Sequence, residues 1–435
     1  MKYDSIIMGG GLAGLMCGLE CVNAGLKTAI ITAGDSALTF SSGAIDLLGF
    51  SPDNTPVSDP FNGISNLINN QSQHPYAKIG TPHIEESLTA FQNYMAEAEY
   101  PMTGDVTSNF WRLTAIGGMM PAFLGPVGIE QLPLNHPMQG IQRITIVNIA
   151  GFRDFQPEIM AAGLKRQLIS SRTKITCIDI PAEKLGIEHP HLPELRSIEL
   201  ARLLKSPDHL SIIADQIKQQ TPYADLFLMP AVMEQRDHES VTSELSRRLG
   251  KPVMELATLP PSLPGIRLQQ AMKKLYTRKG GIFISGDTVE TGQIKDGHLL
   301  NISTRHNPDY PLTSNAFVLA TGSFFSNGLK SCRQTITEPV FDLDLSLAEK
   351  QQPWSSSRFF DSHSHGFITA GVKTNAHFNP AIQQQTIHNL YCAGSLLSHC
   401  NPVAEGSAGG ISISSGWMAA RHIIAQHHNH AAQQA

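Results

Sequence analysis

The chain opens on a block of apolar positions. Tyr3 to Met8 (YDSIIM) predicts a buried strand that runs straight into Gly9-Gly10-Gly11-Leu12-Ala13-Gly14. From Leu12 to Ala24 the spacing becomes helical, with the small residues Gly14, Cys17, Gly18 and Cys21 on one side and Gly25 as a stop. Lys27 to Thr32 (KTAIIT) predicts a second buried strand. Comparable apolar runs return only late in the chain, at Gly281 to Gly286, Ser314 to Gly322 and Asn389 to Ser395, and read as strands of the same parallel sheet. Between them lie helical patches at Ile84 to Ala98 and Glu194 to Lys205, and strand-like runs at Lys174 to Ile180 and Ala224 to Met229. A sheet assembled from both chain ends implies an insertion. The expected architecture is α/β: a Rossmann-like domain from residues 1–44 and 265–435, with an inserted α+β domain at 45–264.

The glycine turn is a G-x-G-x-x-G pattern in the context that phosphate binding requires, after a strand and opening a helix. In that reading Gly9 permits the tight turn, Gly11 lets a phosphate approach the main chain, and Gly14 lets the helix pack close on the strand. The helix then directs its N–H groups at the anion. Gly10, Leu12 and Ala13 complete the cradle. A carboxylate usually ends the second strand and binds an adenosine ribose. Here that position is Thr32, and the next acid, Asp35, lies beyond Ala33 and Gly34. This departure favours FMN over FAD.

Composition narrows the class. The chain has 435 residues, 41% of them hydrophobic and 16% charged, with a net charge of −5, as expected of an enzyme with a large core. The mild acidity argues against a nucleic-acid partner. The most apolar stretch, Ala115 to Ile129, is short and broken by Gly and Pro, so burial is expected rather than membrane contact. Residues 3 to 8 already serve as a strand, which leaves no room for a signal peptide and implies a cytoplasmic chain. Six scattered cysteines suggest reduced thiols, offer no ferredoxin-type cluster, and leave no metal site expected. The polar tail Gln426 to Ala435 reads as a solvated end.

The Gly9 to Gly14 fingerprint, the strand ending Ala320-Thr321-Gly322, and Ala393-Gly394-Ser395 followed by Ala408-Gly409-Gly410-Ile411 resemble the two-dinucleotide-binding-domain flavoproteins, the superfamily of fumarate reductase and succinate dehydrogenase flavoprotein subunits. The opening MKYDSIIMGGGLAGLMCGL, Phe40 to Gly49 (FSSGAIDLLG), Gly151 to Phe155 (GFRDF) and Asn389 to Gly410 are similar to a narrower family, the B subunits of anaerobic glycerol-3-phosphate dehydrogenases.

That resemblance implies FMN, oxidation of sn-glycerol 3-phosphate to dihydroxyacetone phosphate, and electrons passed to the quinone pool during anaerobic respiration. It also implies a catalytic A subunit and an iron-sulfur C subunit as partners, with the inner membrane reached only through the complex. By the same resemblance Ser41, Ser42 and Gly43 lie along the flavin ring. Thr321, Gly322, Gly394 and Ser395 line its site, and Gly409, Gly410 and Ile411 open a helix aimed at its pyrimidine end. An alcohol oxidation needs a proton acceptor. His363, His365, His399 and Glu405 are the candidates, whereas Arg153 and Asp154 are expected to form a structural ion pair or a helix start. Two other classes stay open: a self-sufficient FAD oxidoreductase, and a degenerate flavoprotein fold kept for assembly.

Overall fold

The computed structural model describes residues 2–434 except 130, 136, 169–171, 188–195, 205, 234–240, 333–334, 348–353 and 359–364. The chain divides into two compact units. The first joins Met1–Leu38, Ile45–Ala98 and Gln269–Ala435; the second joins Thr39–Ala44 and Glu99–Leu268. Residues 99–264 of the expected insertion fall in the second unit, while Ile45–Ala98 belongs to the first.

In the first unit the parallel strands Ile282–Ser285, Thr28–Thr32, Lys2–Met8, Leu312–Leu319 and Leu390–Cys392 lie side by side in that order. Numbered along the chain this is 3-2-1-4-5, the order of a dinucleotide-binding half-domain. Each expected strand is present within a few residues of its predicted bounds. The sheet continues into a hairpin, Val289–Lys295 with His298–Thr304, antiparallel to Leu312–Leu319. Asp296 and Gly297 turn it with φ of 50° and 72°, both in the left-handed region that two-residue hairpin loops require.

The helix Leu12–Asn23 covers the sheet and is crossed by the long closing helix Ala408–Gln434. Their approach is so close that a Cβ on Gly416 would sit 2.3 Å from the Ala13 carbonyl oxygen. The expected solvated tail is therefore the last turns of a helix. Thr81–Glu97 packs on the same closing helix, with the buried Ser87 and Ser414 hydroxyls 2.9 Å apart. That contact explains why Ile45–Ala98 belongs with the first unit.

The second unit is built on a four-stranded, all-parallel sheet ordered Val253–Leu256, Leu226–Pro230, Arg143–Ile149, Lys174–Ile180. Its core includes Ile146, Phe155, Leu164, Leu226 and Leu228, each fully or almost fully buried. Each such side chain contributes about 1.5–3 kcal/mol relative to exposure. Residues Pro121 to Pro126 of the apolar stretch are buried here. Among the described residues no helix is long and apolar enough to cross a membrane. The expected Arg153–Asp154 pair does not form: the buried Asp154 carboxylate binds Arg196 Nη1 at 2.9 Å, and Arg153 is left exposed.

Candidate functional site

The first strand and the fourth are paired neighbours whose connections go opposite ways, because the chain leaves Lys2–Met8 toward Thr28–Thr32 on one side and returns on the other through Leu312–Leu319. Ligands of open α/β sheets bind at such a switch point. Two segments meet there. Gly9–Gly14 follows the first strand, and Ala320–Gly322 follows the fourth, with Ala320 N donating to Met8 O at 2.8 Å.

The glycines divide by what surrounds them. Gly9 has φ +119°, and a Cβ there would lie 2.1 Å from the Ala320 carbonyl oxygen; one on Gly14 would lie 2.0 Å from the Gly9 carbonyl oxygen. Both are demanded by packing. Gly10 is crowded by Phe283 and Thr32, at 3.0 and 3.1 Å. Gly11 is different, since its nearest neighbour would be Ser36 Cβ at 3.8 Å. The backbone at Gly11 is thus approachable, and the helix that it opens has no side-chain cap and no acid in its first turn.

Across the turn, Thr321 Oγ1 is buried with no hydrogen-bond partner. Buried hydroxyls rarely stay unpaired. The open glycine, the uncapped helix and the orphan hydroxyl together fit a flavin phosphate. Gly322 and Ser395 face each other, with Ser395 Oγ 3.6 Å from a Cβ built on Gly322. Gly394, at φ +78°, lies against Ala13 and donates its N–H to Ser415 Oγ at 2.9 Å.

Thr32 ends the second strand as expected. Its hydroxyl donates to Gly34 O at 2.9 Å, and Asp35 is exposed beyond it. The strand-end residue carries no carboxylate, and Asp287, whose N–H reaches Thr32 O at 3.3 Å, has its carboxylate engaged by Thr288 N and His306 N.

The closing helix departs from expectation. Asp46 accepts from Gly409 N at 2.8 Å and Ala408 N at 3.2 Å, and its carbonyl accepts from Gly410 N at 2.7 Å. Ile411 N donates to Ser407 O. The amides expected to face a flavin are therefore taken up by an acidic cap, the arrangement that a helix N-terminus favours. Asp46 was visible in the sequence within FSSGAIDLLG, but nothing local ties it to a helix 362 residues away. Ser41 and Ser42 accept from Gly43 N and Ala44 N in tight local turns, and Gly43 rests against Pro264, all within the second unit.

Of the four candidates for proton transfer, His363 lies outside the described residues. His365 Nδ1 accepts from Ser356 N at 3.0 Å, and its ring stacks on Phe367. Glu405 is bound by three donors: Asn401 N at 2.8 Å, Ser407 Oγ at 2.7 Å and the buried His74 Nε2 at 3.3 Å. Tyr76 N donates to His74 Nδ1, which leaves the ring proton on Nε2, facing Glu405. Burial opposes ionisation of Glu405, yet these hydrogen bonds outweigh it and hold the carboxyl below the usual glutamate range. An ionised, fully engaged carboxylate is a structural tie and a poor base. His74 was not singled out by sequence, because its partner is 331 residues away. His399 adopts φ +64°, uncommon for a non-glycine, with its N–H on Thr369 O.

A family model described as an FAD binding domain matches residues 4–411. The chain is thus a flavin-binding protein of that class. Curated relatives narrow it further. It is 38% identical to the B subunit of anaerobic glycerol-3-phosphate dehydrogenase from Aliivibrio fischeri strain MJ11, over 98% of this chain and 96% of the relative. It is 36% identical to the protein of that name from Vibrio vulnificus strain YJ016, covering 95% and 94%, and 35% identical to the one from Vibrio cholerae strain N16961, covering 98% and 97%. The chain belongs to the family of anaerobic glycerol-3-phosphate dehydrogenase B subunits.

Proposed function

We propose that this chain is the flavin-bearing subunit of a complex that oxidises sn-glycerol 3-phosphate to dihydroxyacetone phosphate and passes the electrons toward quinone. The observation that carries the reading is the switch point, where the open Gly11 backbone faces the unpaired Thr321 hydroxyl. Gly9 to Gly14 and the Thr321 hydroxyl hold the flavin phosphate, and Gly322, Gly394 and Ser395 line the ring side. The flavin, when bound, supplies the acceptor for a hydride leaving the alcohol carbon. The chain's own residues bind it, orient it and exclude water from it. His399, strained at φ +64°, is the residue proposed to take the hydroxyl proton.

FMN is the proposed flavin. Thr32 stands where a carboxylate usually binds an adenosine ribose, its hydroxyl is turned to Gly34, and the neighbouring Asp287 carboxylate is engaged by Thr288 N and His306 N. The family model's description, which names FAD, is the competing indication. The six cysteines, at 17, 21, 177, 332, 392 and 400, have no cluster spacing, so electrons leave through another protein. The family resemblance implies that this carrier is an iron-sulfur partner and that the membrane is reached through partners alone. The second unit supplies a cap or a partner surface.

Anaerobic titration of the assembled complex with glycerol 3-phosphate tests the proposal. The expected result is bleaching of this chain's flavin by substrate, slowed at least tenfold by His399→Gln. A flavin that stays oxidised under excess substrate overturns it.

A further inference from the structure

The second unit has a switch point of its own. Its parallel strands are ordered Val253–Leu256, Leu226–Pro230, Arg143–Ile149, Lys174–Ile180, which is 4-3-1-2 along the chain. The chain leaves Arg143–Ile149 to one side for its second strand and then crosses to the other side for its third. A ligand crevice is expected at the carboxyl end of that first strand. Beside that switch point, at the carboxyl ends of the first and second strands, lies a cavity of about 430 Å³ lined by Asn148, Arg153, Gln156, Glu158 and Asp179 among others. Gly151, Phe152 and Arg153 of the GFRDF segment, which the flavin site does not use, form part of its wall.

One lining group points to a ligand. Asn148 is only 5% exposed, and its Nδ2 donates to Asp179 Oδ1 at 3.2 Å across the strand pair. Its Oδ1 has no partner. A buried amide oxygen in this state awaits a donor. Beside it the helix Pro157–Gln167 begins with no side-chain hydrogen bond from its N-cap Gln156, whose Nε2 is turned to Arg153 O.

The lining therefore offers acceptors, at Asn148 Oδ1, Asp179 and Glu158, and donors, at Arg153 and the first turn of the helix. Sulfate only accepts and an ammonium only donates, whereas a hydroxyl group does both. The two carboxylates also disfavour a dianion.

We propose that this crevice binds a small polyhydroxylated molecule, whose hydroxyls donate to Asn148 Oδ1 and Asp179 and accept from Arg153 and the start of the helix Pro157–Gln167. The site is independent of the flavin and of the reaction proposed above.

Saturation-transfer NMR on the purified full chain tests this, with ribitol and glycerol as probes and putrescine and sulfate as the donor-only and acceptor-only controls. Ribitol should give a signal that drops at least fivefold in both Asn148→Ala and Arg153→Ala. Sulfate should not compete it away. Arg153 is exposed, so its variant keeps the test valid even where Asn148→Ala fails to fold. Ribitol signals that are absent from the parent, or equal in the parent and both folded variants, overturn the proposal. So does a site that takes putrescine but not ribitol.

Discussion

Gly14→Val prevents the first unit from folding, whereas Gly11→Val leaves it folded and empties it of flavin. The two positions lie three residues apart in one turn and differ in what a side chain would meet. At Gly14 the new Cβ collides with the Gly9 carbonyl at 2.0 Å, and backbone cannot rotate out of the way as a side chain could. The strand and helix would have to separate, at a cost above about 3 kcal/mol, the upper range for overpacking. At Gly11 the φ is −82° and the nearest atom is 3.8 Å away, so valine fits the empty chain. It fills the approach to the helix amides instead. The variant should melt within a few degrees of the parent while its flavin content falls at least tenfold, equivalent to about 1.4 kcal/mol of binding. Calorimetry and absorbance near 450 nm check both arms. Equal flavin in Gly11→Val and the parent would show that the phosphate lies elsewhere.

Glu405→Ala is expected to destabilise the first unit by about 3 kcal/mol, because removing one partner of a buried cluster leaves the others unsatisfied. Ser407 Oγ, Asn401 N and His74 Nε2 would each lose their acceptor. Glu405→Gln should cost less, since the amide oxygen still accepts and the Ser407 hydroxyl can turn. The pH dependence follows from the lowered carboxyl of Glu405. A depressed folded value means that the stabilisation is fully present above the unfolded glutamate value, near about 4.3, and is lost as the pH falls through the folded value. Denaturant melts of the parent and Glu405→Gln should therefore differ at pH 7 and converge only as the pH is taken well below about 4, through the folded value. A constant gap between them would mean that the carboxylate charge contributes nothing. These variants also separate structure from chemistry: if Glu405 were the base, flavin reduction would fail in Gln without loss of stability.

The Rossmann half was legible because buried parallel strands read as unbroken apolar runs, as at Ala29 to Ile31 and Phe317 to Leu319, and because the glycine turn needs its own flanking strand and helix. The hairpin Val289–Lys295 and His298–Thr304 was missed. Its strands are partly exposed and carry Gln293, Lys295 and Asn301, so no apolar run marks them, although Asp296-Gly297 was a usable turn signal. Within the site, the residues whose roles are backbone constraints could be read locally: Gly9, Gly11 and Gly14 stand where their spacing requires. Tertiary roles could not. Asp46 capping the closing helix, and His74 binding Glu405, join positions separated by more than 300 residues. Glu405 is a candidate proton acceptor by residue type, and only its three donors show that it is already committed. The parallel sheet of the second unit was half legible, from Lys174 to Ile180 and Ala224 to Met229, but strand order depends on crossovers that no local pattern encodes.

The most direct test of the central claim is to denature the purified complex, release the flavin of this chain and identify it by chromatography against its protein content. One FMN per chain is the predicted result, retained by the parent and lost from Gly11→Val. A chain that carries no flavin in the presence of its partners would contradict the account and leave the switch point between Gly11 and Thr321 without its ligand.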